Sequence, residues 1–489
     1  MAKIITGKQE ILSDLEKRVN DKILEQSNFD LLKKLVENAD TLDEAIKIAE
    51  LGTTYKRTGF HFDKRLEKQS NTISYFKKNN ELSFETDSNA ITHKLVVGDN
   101  YPALLNLLVG YKGKIDVIYI DPPYGKDSMG EFADTNYDNA ITRDNLLSML
   151  YPRLWLAKQL LSKNGVIFCS IDDRNQAYIK CLFDEIFDER NFLGNIIWNS
   201  TKSVTNTAII SVSHNYNLVY FKDIDYWTQN RIKFRVAETE DGFFNPDNDP
   251  RGAWKADPFQ VGGWRPNQQY EIINPKTGEK YLPNAGCSWK NDYEKYLELV
   301  ADNRIVFGKN GTSGPQRKRF LSEALERGRV VKTIWDDVET TTNGTQLLKK
   351  ILGEAIFDNP KPVGLIKKIV DLSTDDSESA IILDFFAGSG TTGQAVLELN
   401  KEDNGSRQFI LVTNNEITSL NPKGIAIDVT SKRLKRVMTG KCYDGTSDFE
   451  WSNKNKPLGD NLLVLDIAEV SNFEAVAGKT AFDVIDETL

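Results

Sequence analysis

Two short stretches of the chain carry residue types that could do chemistry. The first is Asp121-Pro122-Pro123-Tyr124, directly after the β-branched run DVIYI (116–120). Two prolines fix φ and remove two backbone donors, which leaves carbonyl acceptors. Asp121 adds a carboxylate acceptor, and Tyr124 adds a flat ring. Together these suit an exocyclic amine on an aromatic base: two N–H groups to accept and one π-face to hold. Taken alone, the same four residues also describe an ordinary strand-end turn. The second stretch is FAGSGTTG (386–393), which follows the apolar run AIILDFF and opens a helix-forming segment. It has the form G-x-G-x-x-G, a nucleotide-binding fingerprint that is weak by itself. Gly388 and Gly390 permit a tight turn and a close backbone approach to a ligand. The free N–H groups at the start of the next helix would suit a carboxylate. Glu416 lies just past the following strand, where an acid can take both hydroxyls of a ribose.

The elements that must position these residues alternate along the chain. Strand patterns occur at LVV (95–97), DVIYI (116–120), GVIFCSI (165–171) and NLVYFK (217–222). Helical periodicity fills the intervals at 103–108, 146–161 and 178–187, with Asn164-Gly165 ending the second. The pattern resumes with a helix at 361–373, a strand at 380–386, a helix at 391–400, a strand at 408–412 and a helix at 431–438. Such alternation predicts an α/β fold with a parallel sheet built from two separate sequence blocks. Ligands of open α/β sheets bind at the carboxyl ends of the strands, where both chemical stretches fall.

The predicted organisation has five parts. Residues 1–60 are a helical segment, with Leu12, Leu15, Val19, Ile23 and Leu24, then Leu31, Leu32, Leu35, Ile46 and Ile48, at helical spacing. Thr41 is its candidate cap. Residues 61–225 are the first block and 346–440 the second. Between them, 226–345 breaks the pattern with Gly, Pro, Asn and Asp clusters and holds five of the chain's eight tryptophans: Trp227, Trp254, Trp264, Trp289 and Trp335. The segment 441–489 is acidic, with 4 basic and 10 acidic residues.

Composition excludes several classes. Lys and Arg number 62 against 71 Asp and Glu, so the net charge of −9 rules out a simple polycation. Three histidines (His61, His93, His214) and four scattered cysteines (Cys169, Cys181, Cys287, Cys442) offer neither a zinc site nor a disulfide framework. The thiols read as buried structural residues, and no metal is expected. No apolar run approaches the ~18 residues needed to span a bilayer, and the start lacks a signal peptide's core. The expected compartment is a reducing cytoplasm. A dinucleotide-dependent oxidoreductase would leave Asp121 to Tyr124 unexplained.

The two motifs together, DPPY first and FAGSG after a long insert, resemble the amino-group DNA methyltransferases. In particular, VVGDNYPALLNLL, GVIFCSIDD, SHNYNLVYF, DNDPRGAW, KPVGLIKKIV and IAIDVTSKRLKRV are similar to the modification subunits of Type III restriction–modification systems. The resemblance covers about residues 93 to 440 and implies the following roles. S-adenosylmethionine is the cofactor, held by a Rossmann-like sheet. Asp121, Pro122, Pro123 and Tyr124 bind and activate a flipped-out adenine in double-stranded DNA. Asp384, Phe386, Ala387, Gly388, Gly390 and Thr391 line the cofactor pocket. Glu416 holds the ribose, Asp99 meets the adenine ring, and Lys361 with Pro362 covers the methionine end. Cytosine N4 is the alternative amino group, and a non-catalytic DNA-binding subunit is a further one. Cytosine C5 chemistry is disfavoured, since its nucleophilic Cys follows a Pro and no Cys here does.

On the same resemblance, the insert reads DNA. Arg317, Lys318 and Arg319, in what reads as a Gly-rich loop, could bind phosphates or a guanine edge. Arg251 and Arg265, near tryptophans, are further candidates. The chain has no Gly-x-x-x-x-Gly-Lys-Ser/Thr loop, so DNA cleavage and translocation would fall to a restriction partner. A homodimer is the expected assembly.

Overall fold

The computed structural model describes residues 2–20, 24, 26–52, 72–124, 143–231, 234–308, 310–374 and 379–471. Ile23 and His61 lie outside the described residues. The chain forms two compact units, 1–65 and 66–489.

The first unit is helical: α1 (Ala2–Asn20), α2 (Gln26–Asn38) and α3 (Leu42–Gly52). Leu15, Leu24, Phe29, Leu32, Val36, Ala39 and Ala45 form its core. Thr41 Oγ accepts from Glu44 N at 3.1 Å, which caps α3. Leu31, Leu35 and Ile46, expected inside, are exposed. The apolar stripe is wider than three short helices can cover.

The second unit is organised by one ten-stranded sheet. Its strands in chain order are β1 (Thr72–Lys78), β2 (Thr92–Val97), β3 (Ile115–Ile120), β4 (Leu161–Ile171), β5 (Phe192–Trp198), β6 (Asn215–Phe221), β7 (Ile334–Trp335), β8 (Ile381–Asp384), β9 (Gln408–Thr413) and β10 (Asn461–Ser471). Their spatial order is β1-β10-β2-β9-β8-β3-β4-β6-β5-β7. The second block is thus threaded into the first: β8 and β9 lie between β2 and β3. From β10 to β4 every pairing is parallel. Leu95, Val117, Tyr119, Val166 and Phe168 cluster with apolar residues of the later helices. The alternate residues Val96, Ile118, Ile120 and Ile167 are equally buried. Period-2 alternation with both sets buried means a sheet covered on both faces, hence the near-continuous apolar runs.

The helices that serve the site are α4 (Asn100–Tyr111), α5 (Arg143–Leu160), α6 (Gln176–Phe187), α7 (Thr341–Leu352), α8 (Val363–Ser373), α9 (Thr391–Asp403) and α10 (Lys432–Thr439). The chain turns from α5 straight into β4 at Leu161, four residues before the glycine expected to end the helix. The sheet is mixed rather than wholly parallel: β6 runs antiparallel to both β4 and β5, and β1 antiparallel to β10. The segment beyond 440 is not only an acidic appendage, because β10 pairs along β2. Likewise β7, inside the stretch set apart by composition, pairs with β5. Trp227 and Trp335 belong to the core of the large sheet.

The insert carries its own small antiparallel sheet, with Gln316–Phe320 between Ile305–Val306 and Trp254–Pro258. Phe259, Ile272, Trp289, Tyr296, Leu299 and Phe307 form an apolar cluster of their own in the insert. No described helix is long and apolar enough to cross a membrane.

Candidate functional site: the carboxyl edge of the parallel strands

Five neighbouring parallel strands end on one edge of the sheet. β2 ends at Gly98-Asp99-Asn100, β9 runs on to Glu416, β8 runs into the glycine turn, β3 runs into Asp121, and β4 ends at Asp172. β8 and β3 are direct neighbours, with Ile382 opposite Val117 and Leu383 opposite Ile118. Residues more than 260 positions apart in the chain therefore meet. The chain goes on from β8 to β9 on one side and from β3 to β4 on the other, and the crevice at such a switch point is where doubly wound sheets hold ligands.

At the β3 tip, Tyr124 Oη donates to Asp121 Oδ1 at 2.9 Å. Lys361 reaches across from the start of α8. Its ammonium donates to Asp121 Oδ2 and, at 3.2 Å, to Tyr124 Oη. The Asp121 side chain is 26% exposed and that of Lys361 10%. Burial first, and the Asp121 carboxylate second, hold the Tyr124 phenol well above its usual range. Tyr124 is therefore a neutral ring and hydrogen-bond donor, not a base. Asn175, buried at the start of α6, donates from Nδ2 to the Tyr124 carbonyl at 2.7 Å and fixes the end of the tetrapeptide.

At the β8 tip, Gly388 and Gly390 have φ of +46° and +75°, the left-handed region that favours glycine. Added Cβ atoms would lie 3.1 Å from Phe357 Cζ and 3.1 Å from Thr430 Cγ2 respectively. The turn opens α9, a 13-residue helix whose N-terminus points its N–H groups at the edge. Arg433 on α10 braces it from inside. Its guanidinium, 1% exposed, donates to Ser389 O at 3.2 Å, Ser389 Oγ at 3.1 Å, Thr391 Oγ at 2.8 Å and Gln394 Oε1 at 2.9 Å. Burial lowers its pKa to about 10.

The remaining sequence candidates divide. Phe386, Ala387, Gly388 and Gly390 form the turn, and Pro362 precedes α8 as its N-cap. Glu416 is half-buried in the loop that leaves β9. Asp384, expected to line the pocket, points inward instead. It is 2% exposed and accepts from Thr392 Oγ at 2.5 Å and Phe386 N at 3.0 Å. Burial pushes its carboxyl up to about 7. The Thr391 hydroxyl is also turned inward, to the Lys361 carbonyl at 3.1 Å. Asp99, expected beside an adenine ring, caps α4 by accepting from Tyr101 N at 2.8 Å and pairs with Arg153 at 3.1 Å. Lys361, expected over the cofactor, pairs with Asp121.

The DNA-reading candidates change more. Residues 316–320 form a strand, not a loop, and alternation sends Arg317 and Arg319 to one face and Lys318 to the other. Lys318 is fully buried, paired with Asp249 at 2.9 Å and Asp247 at 2.5 Å, so it cannot touch DNA. Arg251 spans Asp249 at 2.8 Å and Asp302 at 3.0 Å. Arg319 pairs with Glu238 at 3.1 Å and Asp257 at 3.2 Å. Arg317 is half-buried, and Arg265, beside the exposed Trp264, is exposed.

Two smaller expectations also change. Of the four thiols only Cys169 is buried, and Cys181 is exposed. His93 is structural: it stacks on Phe409 at 4.1 Å, accepts from Phe409 N at Nδ1, and has its pKa lowered by burial. Asn175, Arg433 and Lys361's grip on Asp121 were not read from the sequence. Asp172 to Asn175, directly after the β4 strand pattern, was an available signal for the first.

The residues present fit a nucleoside with an amino-acid tail. The turn admits close approach, the α9 N-terminus suits a carboxylate, and Glu416 suits ribose hydroxyls.

A family model described as DNA methylase matches residues 115–416, and one described as an uncharacterised conserved protein matches residues 8–117. The Type III restriction-modification enzyme StyLTI Mod subunit of Salmonella typhimurium is 32% identical over 447 residues, covering 82% of this chain and 64% of its own length. The EcoPI Mod subunit of Escherichia phage P1 is 30% identical over 410 residues, 70% of this chain and 62% of its own. The Type II methyltransferase M.KpnI of Klebsiella pneumoniae is 30% identical over 395 residues, 72% of this chain and 88% of its own. The chain thus spans just under two thirds of the two Mod subunits and most of the third relative. With a family match over more than half its residues, the chain belongs to the DNA methylase family.

Proposed function

We propose that the protein transfers a methyl group from S-adenosylmethionine to the exocyclic N6 of adenine in double-stranded DNA, as the modification subunit of a Type III restriction–modification system. The observation that carries this is the junction of β3 and β8. An acceptor-rich tetrapeptide and a glycine turn at a helix N-terminus stand on adjacent strand tips, tied together by Lys361.

Phe386, Ala387, Gly388, Gly390, the α9 N-terminus and Glu416 would hold the cofactor. Bound there, it would supply a sulfonium-borne methyl group, an electrophile for an amine nitrogen. Asp121 and the Pro122 carbonyl accept the N–H bonds of the target amine, which keeps its lone pair free. Tyr124 stacks on the base, which must be flipped out of the duplex to reach this edge. Positioning and fixed acceptors supply the rate, without a covalent enzyme intermediate. Arg265, exposed, and Arg317, half-buried, are the candidate DNA contacts that the fold leaves available. The Mod relatives, named as subunits of restriction-modification enzymes, support a separate restriction subunit as partner; a homodimer acting in the cytoplasm belongs to the same proposal.

Asp121→Ala tests the reading. Methyl transfer to DNA should fall by at least about a hundredfold, while cofactor binding measured by calorimetry stays within a few-fold. Wild-type rates in this variant would remove Asp121 from the mechanism. Mass spectrometry of the product nucleoside separates adenine N6 from cytosine N4, which the same acceptors could serve.

A further inference from the structure

Lys361 lies where the two halves of the site meet. Its carbonyl accepts from Thr391 Oγ, at the first residue of α9. Its backbone is wedged against α7, since a Cβ on Gly344 would lie 2.3 Å from Pro360 O and 3.1 Å from Lys361 C. The main chain is thus held from two sides, and the freedom left is in the side chain. That side chain runs to the β3 tip. Its ammonium donates to Asp121 and Tyr124 and lies 5.4 Å from the centre of the Tyr124 ring.

The chemistry of this position is specific. An N–H-bearing nitrogen sits between a carboxylate and an aromatic ring, and that is what the target amine would present to the same partners. Two nitrogens cannot share Asp121 Oδ2 at once, and the ammonium also lies against the Tyr124 hydroxyl. An ammonium beside a nitrogen that gains positive charge during methylation would also oppose that charge. Conversely, with only the Tyr124 hydroxyl on it, the largely buried Asp121 carboxylate would lack a counter-charge, which is costly.

We infer that Lys361 is an internal stand-in for the substrate's amino group. Its ammonium holds Asp121 and Tyr124 in place while no base is bound, and it withdraws on its flexible four-carbon stem before a base enters. The identity of the entering group rests on the proposed function, whereas the pairing with Asp121 does not.

Lys361→Met removes the charge and keeps the length. Wild type and variant are compared for binding to a duplex carrying the site that genome sequencing identifies, with either adenine or an abasic nucleotide at the target position. The stand-in role predicts that preference for the adenine duplex over the abasic one rises about fivefold in the variant, the size of one ion pair released from competition. A merely structural role would move both duplexes alike. An unchanged or reduced preference overturns the inference.

A second measurement needs neither DNA nor the folding of that variant. Lysine acetylation by an N-hydroxysuccinimide ester, read by peptide mass spectrometry, compares wild type with Asp121→Asn. Lys361 should react several-fold faster in the variant, and equal rates overturn the pairing. A wild-type protein that transfers no methyl group, yet shows this acceleration, contradicts the proposed function and supports the placement of Lys361.

Discussion

Asp384 shows how burial changes what a residue can be asked to do. Its carboxyl is enclosed at the β8 tip and protonates near 7, against ~3.9 in an unfolded chain. Between these values the folded protein holds the extra proton. The group's contribution to stability is therefore complete below about pH 4 and is lost as pH rises towards about 7. Asp384→Asn should flatten this part of the pH profile. Melting midpoints of both proteins from pH 4 to 8 check it, and a parallel decline in the variant would assign the slope to other groups. The same residue shows where reading the sequence stops. Asp121 and Tyr124 were legible because their neighbours, two prolines after an apolar strand, restrict what the local backbone can do. Whether Asp384 faces a pocket or a threonine hydroxyl is decided by α9, which sequence spacing does not place.

At the scale of elements, the segment 316–320 carries the sharpest lesson. Three consecutive cations invite a surface reading, but strand alternation makes one of them an interior residue. Lys318 then needs Asp247 and Asp249, and it has both. Removing one partner of a buried pair strands the other charge. Lys318→Met should cost about 3 kcal/mol and lower the melting temperature. Arg265→Ala, on an exposed side chain, should change stability by no more than ~0.5 kcal/mol. It should weaken DNA binding and make that binding less salt-dependent. Equal stability losses in the two variants would contradict this assignment. The strands with strong apolar runs, β3, β4, β6, β8 and β9, were legible. β5 was not, because its half-exposed face dilutes the pattern. β10 was missed because Asp466 and Glu469 hide an apolar run in an acidic segment.

At the scale of the molecule, the fold is a sheet assembled out of sequence order. The two blocks were legible, but the interleaving of β8 and β9 between β2 and β3 was not, because local pattern says nothing about which distant strand pairs. β10 extends that logic, since it supplies Leu462, Val464 and Leu465 to the interior beside β2. At ~1.5 kcal/mol or more each, these three side chains rival the ~5–15 kcal/mol net stability of a typical domain. A chain ending at residue 440 should therefore lose cooperative thermal unfolding, and a sharp transition near the full-length midpoint would show β10 to be dispensable.

The central claim joins the β3 tip, the β8 turn and duplex DNA in one reaction. Its most direct test is expression in a methylation-deficient bacterium, followed by modification-sensitive single-molecule sequencing of the host DNA. The account predicts N6-methyladenine on one strand of a short asymmetric site, absent when Asp121 is replaced by alanine. Unmodified DNA from cells holding soluble protein that binds S-adenosylmethionine would contradict it.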